Sequence, residues 1–323
     1  GSSLTAAKNL PMKWGDKDVK WAQNVEGYGQ SSPVVFNGMV FVTSVIGDNK
    51  ESLGVHCYDL KTGQHTWSKI VENSNHQKIS DYISKGAPTP CVDENGVYCF
   101  FETGQLLAIG HDGEIQWQRS LTKEYGDFQG NHGVGTSLVQ SSNHLILLID
   151  HSADGYLLKL SKKTGENSWK IDREKRVSWS TPVIDATVSP NQIVISSNGI
   201  VEGVSFKNGR QLWSYLGVEK NTIPSATVTR DLILVGSSVK PSSIALPRDK
   251  AGSIAKDQVS WTAENATSSM SSPLVVGENV YYVSRAGVLS CNDLKTGKQL
   301  WDHRLPASCW ATPVGAGDAI YYF

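Results

Sequence analysis

The chain of 323 residues has little net charge and no long apolar run. Its formal net charge is −1, so it lacks the basic excess typical of nucleic-acid-binding domains, and we expect no nucleic-acid partner. The apolar run at 145–149 is far too short to cross a bilayer, so we expect no transmembrane segment. The opening Gly1-Ser2-Ser3 has the appearance of a processed or engineered start. The lack of a signal peptide is therefore uninformative about export.

The five cysteines include no Cys-x-x-Cys spacing and no adjacent pair. The first absence argues against zinc and thioredoxin-like sites. Cys91 and Cys99 flank a predicted turn at 93–96, where they either lie close together or serve as small buried apolar residues, the interpretation that we favour. The common hydrolase, metalloprotease and phosphate-loop signatures are also missing. Paired carboxylates from separate repeats would escape this search, so an enzyme is not excluded.

The chain contains a recurring sequence pattern that is typical of β-hairpins. Residues 57–67 return nearly unchanged as 291–301, and three looser copies also end in Gly-x-x-x-Trp. A glycine at this place adopts positive φ in a tight turn, and the next strand carries a tryptophan that packs against the neighbouring sheet. The tryptophans that end the repeats are Trp21, Trp67, Trp117, Trp169, Trp213, Trp261 and Trp301. Their packing role predicts a loss of several kcal/mol when Trp67 or Trp301 is replaced by Ala.

A second signal, a Ser/Thr-rich step often followed by Pro, opens an apolar strand in each repeat. Four antiparallel strands every 40 to 50 residues or so are typical of β-propeller blades, so we predict one all-β propeller over residues 1–323. Seven blades are predicted to start near residues 31, 88, 135, 180, 224, 271 and 311. Residues 17–25 are expected to form the outer strand that closes the ring. The last repeat is incomplete at Phe323, so we favour a natural chain that continues. The sequence does not decide between seven and eight blades.

Loop lengths point to one end of the predicted blades. The connections at 47–52, 71–86, 121–133 and 237–256 are expanded relative to other repeats. In an up-and-down blade the second-to-third and fourth-to-first connections emerge together, at what we call the loop end; the first and third hairpins lie at the opposite turn end. All four expansions are predicted at the loop end. Long loops on one side commonly carry binding.

Candidate ligand-binding residues occur in connections that we expect at the loop end. They are Asn131, His132, His151, Asp154, Arg176, Trp179, Asn198, Arg285 and Trp310. The histidines and carboxylates near Asp150 would suit a metal, but the sequence around them also reads as ordinary turns, and we predict no metal site. The two arginines would suit an anionic or glycan ligand, with buried arginine pairing as the equal alternative. Arg248, Asp249 and Lys250 are predicted to be a solvated tip.

The Asp-x-x-Thr-Gly-x-x-x-x-Trp pattern at 59–67 and the Ser-Ser-Pro-Val step at 31–34 resemble the repeats of the pyrroloquinoline-quinone-like (PQQ-like) propeller family. The resemblance covers essentially the whole chain. That family includes quinoprotein dehydrogenases and the outer-membrane-assembly lipoprotein propeller of Gram-negative bacteria, and the resemblance is strongest to uncharacterised exported bacterial propellers. Quinoproteins hold PQQ with a stacking tryptophan, a disulfide between adjacent cysteines and a calcium ion. Because this chain has no adjacent cysteines, we expect neither PQQ nor another cofactor.

The sequence therefore favours a monomeric, non-catalytic propeller exported to the periplasm or the cell exterior. We expect it to bind a protein or a glycan polymer through its loop end. The alternative is an enzyme on the same scaffold, either a quinone-dependent dehydrogenase or a carbohydrate-active enzyme, since one fold hosts many functions.

Overall fold

The computed structural model describes residues 3–77, 86–130, 132–220, 223–236, 238–239, 242–263, 266 and 268–323. The chain divides into two compact units, residues 13–175 (unit A) and residues 1–12 with 176–323 (unit B). Strands dominate both units. The α-helix of the described part is α1 (Leu121–Tyr125), and short 3-10 turns lie at Asp16–Asp18 and Lys256–Gln258. Within the described residues, no helix is long and apolar enough to cross a membrane.

Unit A contains three antiparallel sheets of four strands, each in chain order. The two-residue strand β1 (Leu4–Thr5) precedes them along the chain and belongs to unit B. Blade 1 consists of β2 (Val34–Phe36), β3 (Met39–Ile46), β4 (Ser52–Asp59) and β5 (His65–Glu72). Blade 2 consists of β6 (Cys91–Asp93), β7 (Gly96–Phe100), β8 (Gln105–Ile109) and β9 (Ile115–Ser120). Blade 3 consists of β10 (Val139–Gln140), β11 (His144–Ile149), β12 (Gly155–Ser161) and β13 (Asn167–Arg173).

Unit B contains three further blades and part of a fourth. Blade 4 consists of β14 (Val183–Asp185), β15 (Gln192–Ser197), β16 (Ile200–Ser205) and β17 (Gln211–Tyr215). Blade 5 consists of β18 (Thr227–Val228), β19 (Leu232–Gly236), β20 (Ser243–Pro247) and, after β21 (Gly252–Ile254), β22 (Trp261–Ala263). Blade 6 consists of β23 (Leu274–Val276), β24 (Asn279–Val283), β25 (Val288–Asp293) and β26 (Gln299–Arg304). Blade 7 has β27 (Val314–Ala316) and β28 (Ala319–Tyr321), and β1 pairs in parallel with β27.

The core of each unit lies where successive blades face each other. In unit A one cluster joins β7 and β8 to β11 and β12, through residues such as Tyr98, Leu106 and Leu147. In unit B a comparable cluster joins blades 4 and 5, through Val201, Ile233 and Leu246. The second and third strands of the blades are buried almost continuously, while the fourth strands of blades 1, 2, 3 and 6 are mostly half-buried or exposed. This gradient is expected when only the outer strand of each sheet faces water.

The repeat tryptophan joins one blade to the third hairpin of the next. Trp67 Nε1 donates to the carbonyl of His111 at 2.9 Å, and its ring lies over Gly113, whose φ is +84°. A Cβ added at Gly113 would lie 3.0 Å from the indole Cδ2. Equivalent bonds and glycine contacts are made by Trp21 to Leu60 and Gly63, by Trp117 to Lys162 and Gly165, and by Trp261 to Leu294 and Gly297. The repeated glycine therefore has two roles: it adopts the positive φ of the turn, and its lack of a side chain lets the indole of the preceding repeat pack against it.

Two repeat tryptophans depart from this rule. Trp213 is only 3% exposed, and its Nε1 donates to Gln192 Oε1 of its own blade at 2.7 Å. Trp301 is 45% exposed. The expectation that its replacement would destabilise the protein as much as the replacement of Trp67 assumed a buried side chain, which Trp301 is not. The remaining member, Trp169, is half-buried.

The prediction of an outer strand at 17–25 is wrong. Residues 16–18 form a 3-10 turn and residues 19–27 are in no strand. The segment belongs to none of the described sheets. Trp21 is held instead by its indole contact with the Gly63 turn. The segment is joined to blade 1 further along, where Tyr28 and Val45 exchange backbone hydrogen bonds of 2.9 and 2.8 Å.

The expansion predicted at 237–256 also lies elsewhere. This stretch contains the third strand of blade 5, β20, which pairs with β19. The extra residues follow β20 in the third-to-fourth connection, which emerges at the turn end, so the prediction that all expansions lie at the loop end is wrong for blade 5. Part of that connection is β21, which pairs in parallel with β17 and extends blade 4 to five strands.

Candidate functional site

Two of the predicted residues in unit B, Arg176 and Asn198, lie together. Asn198 belongs to the loop-end turn between β15 and β16, and Arg176 Nη1 donates to its carbonyl oxygen at 3.2 Å. The neighbouring Gly199 has φ +86°, and a Cβ there would lie 3.3 Å from Arg176 Nη1. The guanidinium therefore lies directly over this turn. Trp179 is half-buried in the connection that leads to β14.

A second pair, Arg285 and Trp310, lies at the loop end of blade 6. Arg285 belongs to the turn between β24 and β25, and Trp310 follows β26 in the connection to β27. The guanidinium carbon lies 5.1 Å from the centroid of the indole ring, within the range of a cation–π interaction. Trp310 is nonetheless 54% exposed. The pair presents a flat apolar surface with a positive charge to solvent.

In unit A the predicted histidine and carboxylate residues do not converge on one point. His151 is buried, and its Nδ1 accepts hydrogen bonds from the backbone N–H groups of Gln129 and Ala153, both at 3.2 Å. Asp150 is buried beside Arg173, with 2.9 Å between Oδ1 and Nε. His132 is half-buried, Asp154 is exposed, and Asn131 lies outside the described residues. Within the described part of the chain, no three His, Cys, Asp or Glu side chains are placed to hold a metal ion.

The environment of His151 predicts a pH dependence of stability. Burial lowers the pKa of His151, although Asp150 and Asp154 oppose this effect. The unfolded chain, with an ordinary histidine pKa of about 6.5, then binds the proton more readily than the folded chain. We expect the free energy of unfolding to be highest above about pH 6.5 and to fall as the pH drops through the folded pKa. Protonated Nδ1 could not accept the bonds from Gln129 and Ala153.

Denaturant unfolding at pH 7.5 and pH 5.5 would measure this effect, with His151→Gln as the comparison. The glutamine cannot titrate, so the variant should lose less stability between the two pH values than the wild-type protein. Identical pH profiles for the two proteins would contradict the assignment.

A buried ion pair between blades 1 and 2 has no counterpart among the sequence predictions. Lys50 Nζ lies 2.7 Å from Glu102 Oε1, and both side chains are fully buried. The backbone N–H of Gly86 donates to the same Oε1 at 2.8 Å, and Asn73 Nδ2 donates to the Lys50 carbonyl at 2.7 Å. Asn75 Nδ2 donates to the carbonyl of Thr103 at 3.1 Å. The Glu102 carboxylate thus anchors the Gly86 end of the expanded loop of blade 1, while backbone carbonyls of the second-to-third connections of blades 1 and 2 anchor its start.

A polar cavity of about 450 Å³ lies beside this anchor at the loop end of unit A. It is lined by Val71, Glu72, Ser74, Gln105, Gln118, Arg119, Ser120 and Lys123. Arg119 is held by both carboxylate oxygens of Glu124 and by Asn167 Oδ1 at 2.8 Å. The lining offers hydrogen-bond donors and acceptors with one apolar wall, a composition suited to a polar or peptidic ligand.

The turn end of unit B carries a second cavity, of about 570 Å³, in the angle between blades 4 and 5. Arg248, predicted to be solvated, is instead nearly buried, and its Nε donates to Asp185 Oδ2 at 2.9 Å. Burial would raise the pKa of Asp185, but hydrogen bonds from Arg248, Gln192 and Thr187 outweigh it and lower the pKa. The pair fixes the start of the expanded third-to-fourth connection of blade 5.

The cysteine thiols are poorly suited to nucleophilic chemistry. All five cysteines are free, and all but Cys91 are buried. Burial raises the pKa of Cys57 to about 11 and that of Cys91 to about 12, so both thiols stay protonated near neutral pH. Cys91 Sγ donates to the carbonyl of Leu138 at 3.3 Å, and Cys99 lies within a core cluster. Cys99 is therefore the buried apolar residue that we favoured, whereas Cys91 is half-buried and packs against a core cluster.

The four-stranded antiparallel sheets and the repeated indole-on-glycine contact define an all-β protein of the propeller class, as predicted. BamB of Moraxella catarrhalis has a similar fold, with a TM-score of 0.69 and 14% identity over 99% of this chain and 93% of that one. A europium-containing methanol dehydrogenase also matches, with a TM-score of 0.64 and 13% identity over 91% of this chain and 74% of that one. At these identities the likeness concerns the fold alone.

The chain belongs to the family described as outer membrane protein assembly factor BamB, whose model matches residues 5–142 and 111–322. BamB of Shewanella oneidensis is 24% identical over 294 residues, which are 90% of this chain and 66% of that protein. The chain thus spans slightly less than two thirds of the length of this relative. These matches confirm the resemblance to PQQ-like propeller repeats and to the outer-membrane-assembly propeller.

Proposed function

We propose that this chain is a non-catalytic propeller that binds a protein partner through loop-end residues of unit B. The observation that carries the proposal is the exposed pair Arg285 and Trp310, with 54% of the tryptophan accessible to solvent. Tryptophan and arginine are the residues most enriched in binding hot spots, where a flat aromatic surface is desolvated on contact. An indole left this exposed contributes little to the core, so binding is the simplest reason for its large apolar area.

The name of the Shewanella relative supports the same class of function, because an outer membrane protein assembly factor acts on other proteins. By this likeness we infer that the chain is exported, works in the periplasm as a monomer, and contacts components or clients of such an assembly. A glycan remains the alternative ligand for the loop end. Arg176, held over the Asn198 turn, would supply a second cationic contact of the same surface type.

We also infer that the chain works without PQQ. The support is chemical: the sequence has no adjacent cysteine pair. Quinone absorbance in the purified protein, together with turnover of an alcohol, would favour the dehydrogenase alternative instead.

Site-specific photo-crosslinking in the cells of origin tests the proposed partner surface. A photoreactive phenylalanine at position 310 should yield a discrete protein adduct, while the same residue at position 60, which is also exposed but at a turn end, should yield none. Arg285→Ala should reduce the adduct by about tenfold if the guanidinium adds roughly 1.4 kcal/mol to binding. The melting temperatures of all variants should match. Adducts at position 60 alone would contradict the proposal, and a carbohydrate adduct at 310 would favour the glycan alternative.

A further inference from the structure

The repeat tryptophan of blade 4 lies across its own blade because the residue opposite it is a glycine. Trp213 pairs with Gly203 on β16, where an added Cβ would lie 2.1 Å from the indole Nε1. In blades 1, 2, 5 and 6 the residues opposite the repeat tryptophan all carry side chains; they are Cys57, Ala108, Ala245 and Cys291. A residue without a side chain leaves room for the ring over the strand pair.

The glycine in the next connection of blade 5 is left without an indole. Gly252 has φ +71°, the value also found at Gly63 and Gly297, yet a Cβ at Gly252 would meet no atom within 4 Å. At Gly63 and Gly297 the indole of the preceding repeat fills this position. The cavity of about 570 Å³ at the turn end of unit B borders the uncovered connection at residues 249–251. Function is often found where a fold departs from its own rule.

The floor of this cavity is a connected network of hydrogen bonds. Gln192 accepts a bond from Trp213 Nε1 at 2.7 Å and donates through Nε2 to Asp185 Oδ2 at 3.1 Å. Arg248 donates to both carboxylate oxygens of Asp185 and, through Nη1, to the Arg230 carbonyl at 3.0 Å. The polar groups of the floor are thus held in place by one another. Recognition of a charged ligand therefore depends on the side chains at the rim.

Two cations at the rim are available for a ligand. Arg210 directly precedes β17, Lys250 lies two residues before β21, and both are exposed where they line the cavity. Neither side chain forms an ion pair within the described part of the chain. Asp249 also lines the cavity and opposes one of the two charges. Because Arg248 is neutralised by Asp185, the site keeps an excess of one positive charge.

The remaining wall of the cavity is apolar. Val188 and Pro190 from the first hairpin of blade 4 line it, together with Leu212 of β17 and Ala251. Cations beside an aliphatic wall match a ligand in which a carboxylate is next to an aliphatic group. A carboxylate also forms two parallel hydrogen bonds with an arginine. A membrane surface fits less well, because recognition of anionic lipids takes clusters of about four to eight cations.

We propose that this cavity binds an extended acidic peptide segment. An acidic side chain of the segment pairs with Arg210 and Lys250, and a neighbouring aliphatic side chain packs against Leu212. The volume of about 570 Å³ lies within the range of ligand sites in proteins. The site is at the turn end of unit B, whereas the surface around Trp310 is at the loop end, so the two sites are independent.

Fluorescence anisotropy with the full chain and a labelled peptide of three leucine-glutamate repeats tests this site. The peptide should bind saturably, and the same peptide with glutamine in place of glutamate should bind about tenfold more weakly or less. Arg210→Gln and Lys250→Gln should each weaken binding, whereas Asp249→Asn should strengthen it because the opposing charge is removed. Lys207→Gln is the matched control, because this exposed cation of the same turn does not line the cavity; its affinity should be unchanged.

Ala251→Trp tests the cavity itself, because the larger side chain would occupy the space beside the apolar wall. The variant should lose peptide binding and keep its melting temperature, since Ala251 is exposed. Absent binding of the glutamate peptide, equal binding of the glutamine peptide, or unchanged affinity in Ala251→Trp would each overturn the proposal. An equal loss in Lys207→Gln would show diffuse attraction to surface charge and would also overturn it. These variants leave Arg285 and Trp310 intact, so the outcome is independent of the photo-crosslinking result.

Discussion

Replacing Gly63 with Ala is expected to destabilise the protein by about 3 kcal/mol or more, near the cost of deleting a packed tryptophan. Gly63 has φ +71°, a conformation that costs a residue with a side chain about 1 to 2 kcal/mol. The added Cβ would also lie 2.4 Å from Cδ2 of Trp21, a distance that no rotamer change of an alanine can relieve. The indole of Trp21 would have to move away from the turn and lose its hydrogen bond to the Leu60 carbonyl.

Gly38→Ala is a matched control for this prediction. Gly38 has a similar φ of +77°, but no atom lies within 4 Å of the added Cβ. Its cost should be limited to backbone strain, about 1 to 2 kcal/mol. Urea unfolding of both variants gives the difference, which measures the indole contact alone. Equal losses of stability for Gly63→Ala and Gly38→Ala would show that the contact between Trp21 and Gly63 contributes nothing to the free energy of unfolding.

Breaking the Lys50 and Glu102 pair is the second large effect that we expect. Lys50→Met should cost about 3 to 5 kcal/mol, because it leaves the Glu102 carboxylate buried without its cation. Glu102→Gln should cost a similar amount for the reciprocal reason, although the amide can still accept the bond from Gly86. The chain around residue 86 should then become more accessible to protease, since the Gly86 N–H donates to the Glu102 carboxylate of the pair.

The double variant Lys50→Met, Glu102→Gln tests whether the two charges stabilise each other or contribute independently to stability. It carries no buried charge at these positions, so it should be more stable than either single variant, with a coupling free energy of about 1 to 3 kcal/mol. Denaturant unfolding with all four proteins gives this value. Strictly additive losses would mean that the two charges do not stabilise each other.

The matches between prediction and structure come from local physics. A turn glycine with positive φ and a tryptophan four residues later recur in the sequence, and the structure gives φ values of +71° at Gly63 and at Gly297. The proline-led strand starts were likewise predictable. These features depend on residues close in sequence, which is why the all-β class and the four-stranded antiparallel blades were predictable.

The errors come from segments whose state depends on a distant partner. Residues 17–25 carry a tryptophan that occupies the repeat seat, but a strand also needs a hydrogen-bonding edge, which no sequence pattern encodes. Blade 5 lacks the glycine hairpin, so its third strand was assigned to a loop, and β21 was assigned to no element. Arg248 was predicted to be solvated, but it is paired with Asp185, which lies 63 residues away along the chain.

The repeat, the all-β class and the positions of the turn glycines follow from the amino-acid sequence, because each is set by turn geometry and by the spacing of repeated residues. Which polar groups are buried together and which loop-end residues meet follow only from the folded arrangement. Lys50 and Glu102 are adjacent because two connections from different blades converge, whereas Arg285 meets Trp310 because two loop-end connections of blade 6 lie side by side. Contacts of this kind arise from the packing of sheets against each other, which depends on all strands at once.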